Sequence, residues 1–167
     1  MNLYAWASIG ENGKVTGGKP GNQSGTELKV GPYYYFYQDT CIRYKSVLKG
    51  RKAGRIAKKI ALNKNVGYNQ AQRTQLYNVA KACGWNPTKF FQELEKTKVN
   101  CDCSSFASTV INLTFGREII FCQTTSTLVD ACRQTGKFNI ISINDMLKKT
   151  KKGDMPLKAG RHVIINV

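Results

Sequence analysis

A chain of 167 residues with 41% hydrophobic content is long enough to bury about two thirds of its unfolded surface, so one domain needing no disulfide staples is expected. No apolar stretch approaches the ~20 residues of a bilayer span, and Met1-Asn2-Leu3-Tyr4-Ala5-Trp6 carries no basic leader before Glu11; synthesis in the cytoplasm without a signal peptide is expected. Lys and Arg number 26 against 10 acidic residues, and the net charge of +16 calls for an anionic partner.

Residues 1–39 read as a loop-rich opening segment, glycine-dense from Gly10 to Gly31 and closing on Tyr33-Tyr34-Tyr35-Phe36-Tyr37, a short aromatic strand or packed turn. Residues 40–95 read as a basic helical region: no acidic residue falls between Asp39 and Glu93, while Arg43, Lys45, Arg51, Lys52, Arg55, Lys58 and Lys59 all do. Nucleic acid, anionic polymers and a merely solvated helix face all suit such a run.

The spacing of Ile56, Ala57, Ile60 and Ala61 predicts a helix over 51–62. Asn69 with Gln72 three residues on reads as a capping box opening a helix over 70–83. Asn86-Pro87 opens a third, with Phe90, Phe91 and Leu94 inward. Ser126 reads as the cap of 127–133, residues 138–143 as extended, and Ser142-x-x-Asp145 as the start of a short helix through Lys149. Residues 155–157 and 162–167 read as strands joined at Lys158-Ala159-Gly160-Arg161. Helices followed by antiparallel strands give an α+β class.

The chemistry concentrates in residues 96–167. Cys103 stands in the first turn of a buried helix running to Leu113, where unpaired amides and the helix dipole favour a thiolate. His162, the one histidine of the chain, opens the apolar run Val163-Ile164-Ile165, which reads as a buried strand. A helix-tip cysteine facing a strand-borne histidine is a thiol-hydrolase arrangement, with a small buried hydrophobe and a hydrogen-bonded structural histidine as the bland counterparts. The other cysteines (Cys41, Cys83, Cys101, Cys122, Cys132) read as free thiols. A zinc site from Cys101, Cys103, Cys122, Cys132 and His162 lacks the tight paired spacing such sites use, so no metal and no cofactor are expected.

Asp102-Cys103-Ser104-Ser105-Phe106 resembles the nucleophile motif of NlpC-type cell-wall cysteine peptidases, papain-like enzymes related to the CHAP amidases. Lys152-Gly153-Asp154-Met155-Pro156-Leu157 and Gly160-Arg161-His162-Val163-Ile164-Ile165 resemble that family's Gly-Asp turn and histidine strand. Ala7-Ser8-Ile9-Gly10-Glu11, residues 17–27, Gly67-Tyr68-Asn69-Gln70-Ala71-Gln72-Arg73, Thr124-Thr125-Ser126-Thr127-Leu128 and Gly136-Lys137-Phe138 are similar to a phage-borne branch.

The resemblance implies a papain-like core, with the Cys helix packed on a small antiparallel sheet. It implies a peptidoglycan amide hydrolase, either a stem-peptide endopeptidase or a muramoyl-alanine amidase, acting at the bacterial wall as a phage lysin or tail-associated enzyme. Cys103 would be the nucleophile and His162 the base, while Asp102 and Ser104 would bind the stem peptide, Asp102 also serving as an N-cap. Anionic wall polymers would meet the basic region, nucleic acid being the lesser candidate, and a monomer is expected. In this setting the tyrosine run can also stack on glycan. The third member of the triad is not evident: Asn166 lies about 13 Å along the strand from His162. Gln23 is a weak candidate for the second oxyanion donor. Two other readings are a basic binding module on a decayed thiol-hydrolase scaffold and a cysteine protease with another substrate.

Overall fold

The computed structural model describes residues 2–167. Two strands frame the irregular segment near the N-terminus: β1 (Leu3–Ala7) and β2 (Leu28–Pro32), paired antiparallel from Leu3 opposite Pro32 to Ala7 opposite Leu28. Periodicity did not show β1 because both of its faces are buried. Tyr4 and Trp6 point into an aromatic cluster with Phe36, while Ala5 and Ala7 join the main core. A third strand, β3 (Thr40–Tyr44), heads the stretch read as helical.

Helix α1 (Val47–Ala61) follows, its N-cap Ser46 accepting from the Lys49 amide at 3.3 Å. It buries Ala53, Ile56, Ala57 and Ile60 and turns Arg51, Arg55 and Lys58 to solvent. Short β4 (Val66–Tyr68) and β5 (Val99–Cys101) pair in parallel. Between them lie α2 (Gln75–Ala82) and α3 (Pro87–Leu94), the latter capped by Asn86 as expected. The helix expected over 70–83 is broken. Asn69 caps a 3-10 turn over Gln70–Gln72, and Gln72 Oε1 accepts from the Asn100 side-chain Nδ2 at 2.9 Å instead of closing a capping box.

Helix α4 (Cys103–Phe115) runs through the centre, buried from Cys103 to Thr114. A helix buried all round must satisfy its own polar groups, and this one does: Ser108, Thr109 and Thr114 each donate to the carbonyl four residues back at 2.7–2.9 Å. Next come α5 (Leu128–Gln134), β6 (Phe138–Ser142) and α6 (Ile143–Lys148). The N-cap position of α5 is Thr127, one residue past the expected Ser126, whereas Ser142 caps α6 as read.

The chain closes on β7 (Met155–Lys158), β8 (His162–Val163) and β9 (Ile165–Asn166). The strand expected over 162–167 is divided at Ile164. β8 belongs to a sheet ordered β6-β3-β7-β8, and β9 to a sheet ordered β2-β1-β9, so this last segment passes from one to the other. The architecture is α+β, with small antiparallel sheets around α4. No helix among the described residues is long and apolar enough to cross a membrane.

The lead-in to β7 is fastened by charge. Asp154, 1% exposed, takes a two-pronged ion pair from Arg43, Nε at 2.8 Å and Nη2 at 2.6 Å, and the Lys151 amide at 2.8 Å. Gly153, at φ +83°, lies so near Gly50 that a Cβ would sit 2.5 Å from the Gly50 carbonyl, so no larger residue fits there.

Candidate active site

Asp102 is the N-cap of α4 in a capping box. Its Oδ1 accepts from the Ser105 amide at 2.7 Å, and Ser105 Oγ accepts from the Asp102 amide at 2.9 Å. Cys103 therefore occupies the first helical position, where backbone amides lack intrahelical partners. The strand carrying His162 packs against this end of the helix, and the Val163 amide donates toward the Cys103 thiol.

The environment of the pair departs from the expectation of a ready thiolate. Cys103 is 7% exposed; burial, with the neighbouring Asp102 charge second, pushes its thiol up to about 12 against the pull of the Val163 and helix-tip amides. Burial likewise lowers the His162 imidazolium to about 4. At neutral pH both groups are uncharged. The imidazole ring is held by aromatic faces, with Phe36 edge-on at 5.1 Å and Tyr34 tilted at 6.3 Å between centroids. Nε2 of His162 is buried and has no hydrogen-bond partner among the described residues. Asn166 pairs across from Tyr4 on β9, in the other sheet.

Arg73, for which no role at the site was expected, bonds to both chain neighbours of Cys103. Its Nε donates to Asp102 Oδ2 at 2.6 Å, and its Nη2 donates to Ser104 Oγ at 3.0 Å and to the Gln123 carbonyl. Ser104 Oγ donates in turn to Asp102 Oδ1 at 3.1 Å. The two expected substrate-binding residues, Asp102 and Ser104, are thus brought together with a guanidinium between them and the 118–123 segment. The turn at 70–72, seen only in the structure, ends just before Arg73, and no local pattern marks the distant partners of its guanidinium. Beyond Gln123 opens a cavity of about 400 Å³ lined by Ile119, Phe121, Ala131 and Gln134.

Gln23 is occupied elsewhere, its Nε2 donating to the Val66 carbonyl at 3.0 Å and its Oε1 accepting from the Leu28 amide at 3.2 Å. It fastens the glycine-rich loop to β2 and β4. Two carboxylates shape that loop: Glu27 accepts from the amides of Ser24, Gly25 and Thr26, and Glu11 from that of Lys19. At Gly18 the loop presses so close to β4 that a Cβ would stand 2.2 Å from the Tyr68 carbonyl. All six cysteines are free thiols, and no group of three or more metal-ligating side chains occurs among the described residues.

No curated protein and no solved structure matches the chain. A family model described as an endolysin-like domain matches residues 5–167. Such a domain is that of a phage cell-wall lytic enzyme, and peptidoglycan fits as its substrate. By this match over nearly its whole length, the chain belongs to the endolysin-like domain family.

Proposed function

We propose that the protein is a cysteine-dependent peptidoglycan amide hydrolase of the NlpC-type, papain-like kind, related to the CHAP amidases, with residues 1–167 acting as one catalytic domain. The observation that carries this reading is the seating of Cys103 at the first position of a capped, buried helix, with the His162 strand laid against it. The bond is the amide within the stem peptide or between muramic acid and its first alanine.

In this mechanism Cys103 Sγ attacks the amide carbonyl as its proton passes to His162. As the S–C bond forms, the carbonyl π pair moves to oxygen, so two neutral groups give rise to a tetrahedral oxyanion and an imidazolium in a site shielded from water. The backbone amides at the tip of α4 receive the oxyanion. His162 then protonates the leaving amine, and water resolves the thioester by the reverse route. Aromatic packing by Phe36 and Tyr34 orients the imidazole in place of a hydrogen-bonded third residue. Asp102 and Ser104 serve substrate binding through the cluster they form with Arg73, which holds the rim of the site rigid beside the thiol.

The cations of α1 supply attraction to anionic wall polymers. Arg51, Arg55 and Lys58 project to solvent with no acidic partner among the described residues.

The test is alkylation. Iodoacetamide reacts slowly with a buried, protonated thiol. On prolonged exposure the turbidity loss of purified Gram-positive walls should therefore disappear in step with labelling of Cys103 and not with labelling of the more accessible Cys83 and Cys122. A chelator should leave lysis unchanged. Full lysis by quantitatively labelled protein would refute the thiol mechanism.

A further inference from the structure

The segment Tyr33–Tyr37 divides its rings. Tyr33, Tyr34 and Phe36 turn inward onto Tyr4, Trp6 and Ile164. Tyr35 and Tyr37 turn outward, 68% and 59% exposed, with ring centroids 5.2 Å apart. Two large exposed aromatics side by side forgo the burial that normally stabilises such rings.

The backbone is also held against its preference here. Tyr37 has φ +64°, one of two non-glycine residues in the left-handed region among the described residues, and such a conformation persists only where its surroundings impose it. They do: buried Gln38 accepts from the Phe36 amide at 2.7 Å through Oε1 and donates to the Tyr33 hydroxyl. The outward pair is therefore fixed in place rather than loosely attached. Arg161 lies over the Tyr37 ring at 4.6 Å, and the next residue is His162, whose ring touches Phe36.

We propose that Tyr35, Tyr37 and Arg161 form a carbohydrate subsite that seats the glycan strand of peptidoglycan beside the reacting pair. The inference deepens the hydrolase reading and rests on it for the choice of ligand. A pyranose presents an apolar face of C–H groups and a rim of hydroxyls. The first matches rigid tyrosine faces, which offer contact area at low entropic cost, and the second matches phenol hydroxyls and a guanidinium fork. Continuity with His162 decides for glycan: a strand stacked here runs past the nucleophile, so the stem branching from it is delivered to Cys103. The other ligand that aromatic rings beside an arginine would suit on so basic a chain is single-stranded nucleic acid.

The experiment uses the full chain carrying Cys103→Ala, so that binding is read without hydrolysis. Its affinity is measured for three probes: soluble glycan strands stripped of stem peptides, free stem peptide, and an oligothymidylate. The platform is removed by Tyr35→Ala with Tyr37→Gly, glycine being the residue that accepts the positive φ, and an unchanged melting temperature verifies the fold. The expected result is about a ten-fold loss of affinity for glycan strands, equivalent to about 1.4 kcal/mol, with stem-peptide affinity unchanged. Tyr35→Phe with Tyr37→Phe should retain most of the glycan affinity. Equal glycan affinity with and without the two rings overturns the subsite, as does absence of glycan binding by the parent. Loss confined to the oligothymidylate assigns the platform to nucleic acid and overturns it as well. None of these readouts involves the thiol, so failure here is distinct from failure of the alkylation test.

Discussion

On its helix-cap side Cys103 adjoins Asp102, whose carboxylate accepts from Ser105, Ser104 and Arg73, every contact an oriented charge or dipole. On the other side His162 sits among Phe36, Tyr34 and apolar strand neighbours, with Nε2 unengaged. The first flank has its polar groups satisfied, so it can act as a rigid frame for the thiol. The second leaves a titratable nitrogen without a structural task, in surroundings that keep it neutral and basic only toward a very close donor. On the proposed mechanism the first flank would hold geometry and the second would move protons, so mutations on the two flanks are expected to fail differently.

The largest effect is expected on the histidine flank. His162→Ala should lower wall hydrolysis about 10²–10⁴-fold, the range for removal of a general base, while the protein remains folded by circular dichroism. Arg73→Ala should fail through stability, because it strips the partner from a largely buried carboxylate; about 2–4 kcal/mol in urea unfolding is expected. Its exposed counterpart Arg133, paired with Asp130 across the first and last turns of α5, should cost less than about 1 kcal/mol when replaced by alanine.

Acid titration separates the flanks further. His162 resists protonation in the folded state down to about 4, whereas in the unfolded chain it takes a proton near its ordinary value of 6.5. Stability contributed by the neutral imidazole is therefore complete above 6.5 and is lost as pH falls toward 4, by at most about 3 kcal/mol. His162→Phe should remove that slope, read as the difference between variant and parent so that the carboxylates common to both cancel.

The smallest effect on the fold belongs to the basic face. Reversing Arg51, Arg55 and Lys58 to Glu should change stability by about 0.5 kcal/mol or less per site. It should weaken wall binding at low salt and leave cleavage of a soluble stem peptide unchanged, since exposed charges are screened over about 8–10 Å. Lys59 is less suitable for reversal, because its ammonium lies 4.0 Å above the Phe91 ring.

Helices with a one-sided apolar stripe or a clear cap were legible in the sequence: α1, α3, α4 and α6 stand close to where Ile56, Pro87, Asp102 and Ser142 placed them. The three strands at the N-terminal end were not. Tyr4 and Trp6 alternate with Ala5 and Ala7, and since all four are buried the alternation carries no polar signal. The Asn69–Gln72 pattern misled because both side chains bond across the fold, to Gly18 and Asn100, and such partners are invisible to local reading. Arg73 was hidden for the same reason, its partners lying 29 to 50 residues away. At Cys103 the helix tip was foreseen, but local sequence does not report how deeply a thiol is buried, and burial outweighs the dipole there.

The central claim is that Cys103 and His162 together cleave an amide of peptidoglycan, and mass analysis of fragments released from purified walls tests it most directly. The account predicts new amine-bearing fragments from the parent protein at one defined amide, and none from folded Cys103→Ala, Cys103→Ser or His162→Ala. Release of the same fragments by folded Cys103→Ala, or release of sugar-bond cleavage products by the parent, would contradict it.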